Sequence, residues 1–213
     1  MLNEADDPRR DDLLDRRSFV GIAALLPFLL ARPSRGETAA QVGSVEDLKG
    51  QAFAEKDAVR RELDRAAALF VRDQVGTGAD SRLTMRLGRD TTLKLGERAR
   101  VTIDRYLVDA GGEINLGSGG MLFERPARST PSKVQIRSTF GLIAVRGTRF
   151  FAGPSNDVFG VFVEQGRVTV SAAGKSVTVR AGQGTNIARP GAAPTAPAPW
   201  KEPRIQAALA SVS

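Results

Sequence analysis

The chain has 213 residues, 41% of them hydrophobic, a formal net charge of +7, and neither cysteine nor histidine. That length suits one domain with appendages, and that apolar fraction excludes wholesale disorder. The missing residue types exclude disulfides, thiolate nucleophiles, iron–sulfur clusters, histidine general bases, serine–histidine triads and nearly all catalytic zinc sites.

Taken in order, residues 1–15 are polar, mixed in charge and without an apolar face. Arg16-Arg17, Phe19 and the apolar run 19–31 follow, and together they resemble a twin-arginine export signal. The run is shorter than the roughly 20 apolar residues of a spanning helix and contains Pro27. A cleaved signal ending near Ala40 is therefore preferred to an inner-membrane anchor, which stays the alternative. The mature protein is then expected to be periplasmic or secreted, with no stable membrane span.

From Val42 onward the pattern is that of short strands. Leu83, Met85 and Leu87 alternate with polar neighbours, as do Leu93/Leu95, Val101/Ile103, Ile114/Leu116, Val134/Ile136, Ile143/Val145, Val161/Val163 and Val168/Val170. Period-two alternation broken by turn chemistry predicts half-buried antiparallel strands. The turns fall at Gly88-Arg89-Asp90, Gly96-Glu97, Gly117 to Gly120 and Ala173-Gly174, and the segment from Ala181 to Ile187 closes the domain. The glycine cluster at 117–120 has no Lys-Ser/Thr behind it and no helix to follow, so it is read as a turn and not a phosphate cradle. Residues 55–71 are ambiguous: Val59, Leu63, Ala66 and Phe70 sit near helical spacing, and Ala66-Ala67-Ala68 favours helix by propensity. Asp73, Thr77 and Ser81 are expected to tie turns through side-chain to backbone bonds. Past Ala188, prolines and alanines suggest an extended linker, and a short helix or a free tail are both open for 200–213. The expected division is a signal peptide over 1–40, a β domain over 42–188, and linker and tail over 189–213.

Ser138-Thr-Phe-Gly141, Ala144-Val-Arg146-Gly147-Thr148-Arg-Phe150 and Glu164-Gln-Gly166-Arg-Val168 resemble the FecR-like (ferric dicitrate regulator) family of bacterial envelope domains. A weaker likeness covers Leu69 to Leu83, where a strand precedes an Asp-x-Val-x-Thr-Gly corner, and it decides 55–71 for strand. The resemblance implies an all-β domain, mostly antiparallel, stacked as a roll or solenoid or built as a sandwich. It also implies an envelope location. Fifteen residues ahead of the apolar run are too few for the family's sigma-binding segment, so sigma-factor control and iron sensing are not carried over.

Function is expected to be binding. Arg146, Gly147 and Thr148, on an Arg-Gly-Thr turn, are the candidates for contact with an anionic ligand or a partner strand, although each also has a structural reading. Arg16, Arg17 and Phe19 would carry the export signal. No cofactor and no metal site are implied. The expected partner is an envelope protein, in a regulatory, sensing or scaffolding role. The alternative is adhesion to an anionic envelope polysaccharide or peptidoglycan, which the basic charge favours. Nucleic acid is not expected, because no basic run is interleaved with stacking aromatics. A carboxylate-dependent hydrolase using two of Asp73, Asp80, Asp104 and Glu164 is the least favoured reading. An open β stack also leaves edge strands on which copies could pair.

Overall fold

The structure is a computed structural model that describes residues 40–107, 111–126, 133–145 and 147–213. Arg16, Arg17, Phe19 and the apolar run 19–31 lie outside the described residues.

The chain builds two sheets by laying short strands alternately on one and then the other. It begins with β1 (Gln41–Lys49), the hairpin β2 (Ala52–Lys56) and β3 (Val59–Glu62), then β4 (Ala68–Phe70) and β5 (Gln74–Thr77). The pairs β6 (Arg82–Leu87) with β7 (Thr91–Leu95) and β8 (Arg100–Leu107) with β9 (Gly111–Ser118) follow, and then the single strand β10 (Met121–Glu124). Next come β11 (Lys133–Ser138) with β12 (Gly141–Val145), β13 (Arg149–Ser155) with β14 (Val158–Gln165), and β15 (Arg167–Ala172) with β16 (Lys175–Arg180). The chain closes with β17 (Gln183–Ile187), the short β18 (Ala198–Pro199) and one helix, α1 (Glu202–Ala210). One sheet runs β18-β17-β14-β13-β10-β7-β6-β1-β4 and the other β16-β15-β12-β11-β9-β8-β5-β2-β3. The expected all-β, stacked architecture is what forms, and the stretch 55–71 holds the end of β2, then β3 and β4 with turns between them, as the family likeness implied.

Strand direction follows from the same alternation. When a two-stranded hairpin intervenes, the chain returns antiparallel to the strand it left, as β8 does to β5 and β15 to β12. Only β10 intervenes between β9 and β11, and those two are parallel. The turns carry matching chemistry: Asn156 and Asp157, both at positive φ (52° and 60°), form the two-residue link between β13 and β14. Turns of that handedness match the right-handed twist of the paired strands.

The alternating aliphatic side chains of both sheets meet in one core, including Met85, Leu95, Ile103, Ile114, Ile136, Val161 and Val170. Burying each such side chain stabilises the fold by about 1.5–3 kcal/mol. At the first corner, the three expected side-chain ties form. Asp73 accepts the Phe70 N–H at 2.8 Å and pairs with the Arg61 guanidinium. The Thr77 hydroxyl donates to the Gly96 carbonyl at 2.6 Å and accepts the Ala99 N–H at 2.9 Å. The Ser81 hydroxyl accepts the Gln51 N–H and donates to the Ala79 carbonyl, both at 2.9 Å. All three residues are buried, so these bonds satisfy backbone groups that water does not reach.

A second apolar cluster lies on the outer face of the first sheet, where Leu122, Phe151 and Phe162 are covered by Ala208 and Val212, with Trp200, Ile205 and Leu209 packed alongside. The segment expected as linker and tail therefore packs on the domain. Ala198 and Pro199 pair with Gly184 and Gln183, and α1 packs against β13. Glycines shape the seat: a Cβ on Gly184 would enter the Trp200 indole, and one on Gly160 would lie 2.7 Å from it. Arg204 stacks 3.6 Å above Trp200 and donates to the Ser155 hydroxyl at 2.9 Å and the Asn186 amide oxygen at 2.8 Å. Burial lowers the Arg204 pKa from its ordinary value, but a guanidinium stays charged throughout the working range. Among the described residues no helix is long and apolar enough to cross a membrane.

Candidate partner-binding corner

The corner where β12 hands over to β13 and β14 to β15 contains the Arg-Gly-Thr turn. Arg146 lies outside the described residues. Gly147 holds a positive φ of 55°. Thr148 is buried, and its hydroxyl donates to the Arg167 carbonyl at 2.9 Å, fixing the start of β13 to the start of β15. That tie gives Thr148 a positioning role and leaves its side chain no exposed face. Gly166 is required by its surroundings: φ is 82°, and a Cβ there would come within 2.5 Å of the Gly147 carbonyl oxygen.

The two glycines, with Ala181, Arg167 and Arg180, line an open cavity of about 480 Å³. A neighbouring groove of about 310 Å³ shares Arg167 and runs past Lys133, Gln135, Ala144 and Thr169. Among the described residues neither lining contains a carboxylate.

Arg167 and Arg180 face each other directly across β15 and β16, and both are exposed. Like charges in opposed positions destabilise a strand pair. Among the described residues Arg60, Arg61, Arg65, Arg86, Arg98, Arg137 and Arg149 have a carboxylate within salt-bridge distance, whereas Arg72, Arg82, Arg89, Arg100, Arg189 and Arg204 have none. Arg167 and Arg180 have no such partner there. The stretch from Arg167 to Arg180 holds three bases and no acid. The corner is thus a local positive field over a mouth of backbone and small residues, suited to attracting an anionic group. Arg167 and Arg180 carry no recognisable pattern in sequence, because their lack of partners depends on which strands lie beside them.

The four acids considered for hydrolysis do not line either of these cavities. Asp73 is buried against Arg61, and Glu164 accepts from Arg149 at 2.8 Å while Arg149 also reaches Glu124 at 3.4 Å. Asp80 and Asp104 are exposed. Among the described residues no group of three or more acids could hold a metal ion.

The family model described as FecR protein matches residues 73–169, which run from the start of the β5 corner into β15. Two crystal structures of a candidate anti-sigma factor from Parabacteroides distasonis, at 1.65 and 2.50 Å resolution, share the fold with a TM-score of 0.53 at 12% identity. The alignment covers 64% of this chain in both cases, and 64% and 63% of those chains. This chain therefore spans a little under two thirds of their length. No curated protein matches the sequence. Over residues 73–169 the chain therefore carries a domain that matches the FecR protein family.

Proposed function

We propose that this chain is a non-enzymatic regulatory or sensing module of the bacterial envelope that acts by binding a protein partner. The FecR match over residues 73–169 carries this reading, and the fold shared with a candidate anti-sigma factor supports a partner-directed role. The unpaired arginines at the corner supply a surface with a preference of its own, and the partner is read as acidic where it touches them. Within the Arg146-Gly147-Thr148 turn, Thr148 and Gly147 shape the corner, and Arg146 remains the turn's candidate for contact with the partner. Residues 1–40, with Arg16, Arg17 and Phe19, would export the folded domain 42–188, and the C-terminal segment 189–213 travels with it as part of the folded body.

The test uses native cells expressing the tagged full chain and an in vivo cross-linker. A discrete adduct with one envelope protein, lost when Arg167 and Arg180 are both changed to Glu, is the expected result. An Arg16→Lys/Arg17→Lys variant retained in the cytoplasm without that adduct would place the encounter outside the inner membrane. No protein adduct in any fraction would sink the reading. The same arginine pair favours one second reading, adhesion to an anionic envelope polymer. That reading predicts sedimentation with purified peptidoglycan or polysaccharide that weakens steeply with salt, and salt-independent sedimentation would end it.

A further inference from the structure

We infer that β16 is a docking edge for an extended acidic segment of a partner protein, which adds to the second sheet as a further strand. The inference rests on the reading of the chain as a partner-binding module and names the chemistry of that partner.

Three observations carry it. The first is an open edge. Among the described residues β16 ends its sheet and pairs with β15 alone. The Ala173-Gly174 link joins opposed Ala172 and Lys175, so hydrogen-bonded pairs alternate from there, and Ala181 continues the series by donating its N–H to Gly166. In an antiparallel ladder the intervening pairs direct their N–H and C=O groups away from each other. Ser176, Thr178 and Arg180 therefore turn their backbone groups to the open side. The Arg180 N–H is taken by the Gln183 side chain at 3.2 Å, which leaves Ser176 and Thr178 with outward backbone groups and no backbone partner among the described residues.

The second is the chemistry of the faces. The outer row along this edge is Arg167/Arg180, Thr169/Thr178 and Ser171/Ser176, which is guanidinium and hydroxyl throughout. Below it, Val179 is fully buried and Val177 is half-buried at the margin of the core. An added strand would place every second side chain beside Arg180, Thr178 and Ser176, and the others beside Val177 and Val179. The fitting segment alternates acidic or hydroxyl residues with aliphatic ones.

The third is charge, which selects among occupants. Lys175 and Arg180 lie on the edge with Arg167 behind them, and no acid stands between 167 and 180. A second copy paired through β16 would bring six bases and no acid to one seam, which charged edge residues are known to discourage. An acidic strand removes the repulsion between Arg167 and Arg180 and gains main-chain hydrogen bonds together with an ion pair. Strand addition of this kind takes affinity from the backbone and specificity from alternate side chains.

Fluorescein-labelled Glu-Val-Thr-Val-Glu-Val-Thr is titrated into the full exported chain by anisotropy, with Lys-Val-Thr-Val-Lys-Val-Thr as the charge-reversed control. The acidic peptide is expected to bind at least about tenfold more tightly than the basic one, a difference of about 1.4 kcal/mol. Arg180→Glu should reverse that preference. Thr178→Pro, which removes an outward N–H and no ladder bond, should weaken the acidic peptide about tenfold with the thermal midpoint unchanged. Should that variant misfold, the same peptide N-methylated at alternate residues tests the backbone contact on the unaltered chain. Equal binding of the two peptides overturns the inference, as does acidic binding indifferent to both Thr178→Pro and N-methylation. So does a dimer of the chain that Thr178→Pro abolishes, since the occupant would then be a second copy. A cellular adduct that persists in Thr178→Pro with no peptide binding would leave the proposed function standing and remove only the edge.

Discussion

The Arg61–Asp73 pair makes an asymmetric prediction that tests how the first corner is held. The Asp73 side chain is 1% exposed and that of Arg61 is 35% exposed. Arg61 donates to the Ala68 carbonyl at 3.0 Å and stacks 5.2 Å from the Phe70 ring, and its charge faces one Asp73 oxygen. The other oxygen, Oδ1, has no protein donor among the described residues. Arg61→Met keeps the stem on Phe70 but leaves a carboxylate buried with one backbone donor, and removing one partner of a buried pair costs about 3–5 kcal/mol. Asp73→Asn keeps the shape and the bond to the Phe70 N–H. It leaves a guanidinium that already reaches water, so the loss is that of one charge-assisted bond, about 1–2 kcal/mol. In a domain of this size about 1 kcal/mol moves the midpoint by roughly 2–4 °C. Thermal unfolding followed by circular dichroism should therefore fall by about 6–20 °C for Arg61→Met and about 2–8 °C for Asp73→Asn. The double variant should be less destabilised than the sum. Arg61→Met no worse than Asp73→Asn, or strict additivity, would refute the claim that the buried carboxylate is what Arg61 serves.

The C-terminal seat makes three further predictions. Trp200 is the chain's single tryptophan, so Gly184→Ala, whose methyl would enter its indole, should red-shift the fluorescence and cost about 1–3 kcal/mol through overpacking. An unchanged spectrum would place Trp200 elsewhere. Phe151→Ala, which empties a side chain buried between β13 and α1, should cost about 3–5 kcal/mol in urea unfolding, and a loss under about 1 kcal/mol would contradict its burial. Truncation after Pro199 removes the cover of Leu122, Phe151 and Phe162 and should raise binding of a hydrophobic dye with the β spectrum retained. Dye binding equal to that of the full chain would show that α1 does not cover that face.

The sequence by itself determined the strands, most of the turns, the Asp73–Thr77–Ser81 ties and the family likeness. Each of these is written locally: alternation is set between i and i+2, and a turn is fixed by two or three adjacent residues. The division of strands between two sheets, and with it the parallel pairing of β9 and β11, was settled by tertiary structure. So was the seat for α1. Met121-Leu122-Phe123, Phe150-Phe151 and Val161-Phe162-Val163 break strict alternation and signal strands covered on both faces, but nothing local says that residues 200–212 provide the cover. The candidate corner divides in the same way. The Arg-Gly-Thr turn was legible as a turn, yet whether Thr148 faces inward and whether Arg167 and Arg180 meet no acid depend on residues brought together from distant positions. Arg137 and Arg149 find carboxylates 24 or fewer residues away across the sheets, whereas Arg167 and Arg180 meet no carboxylate among the described residues, and β16, which carries Arg180, ends the strand order of its sheet.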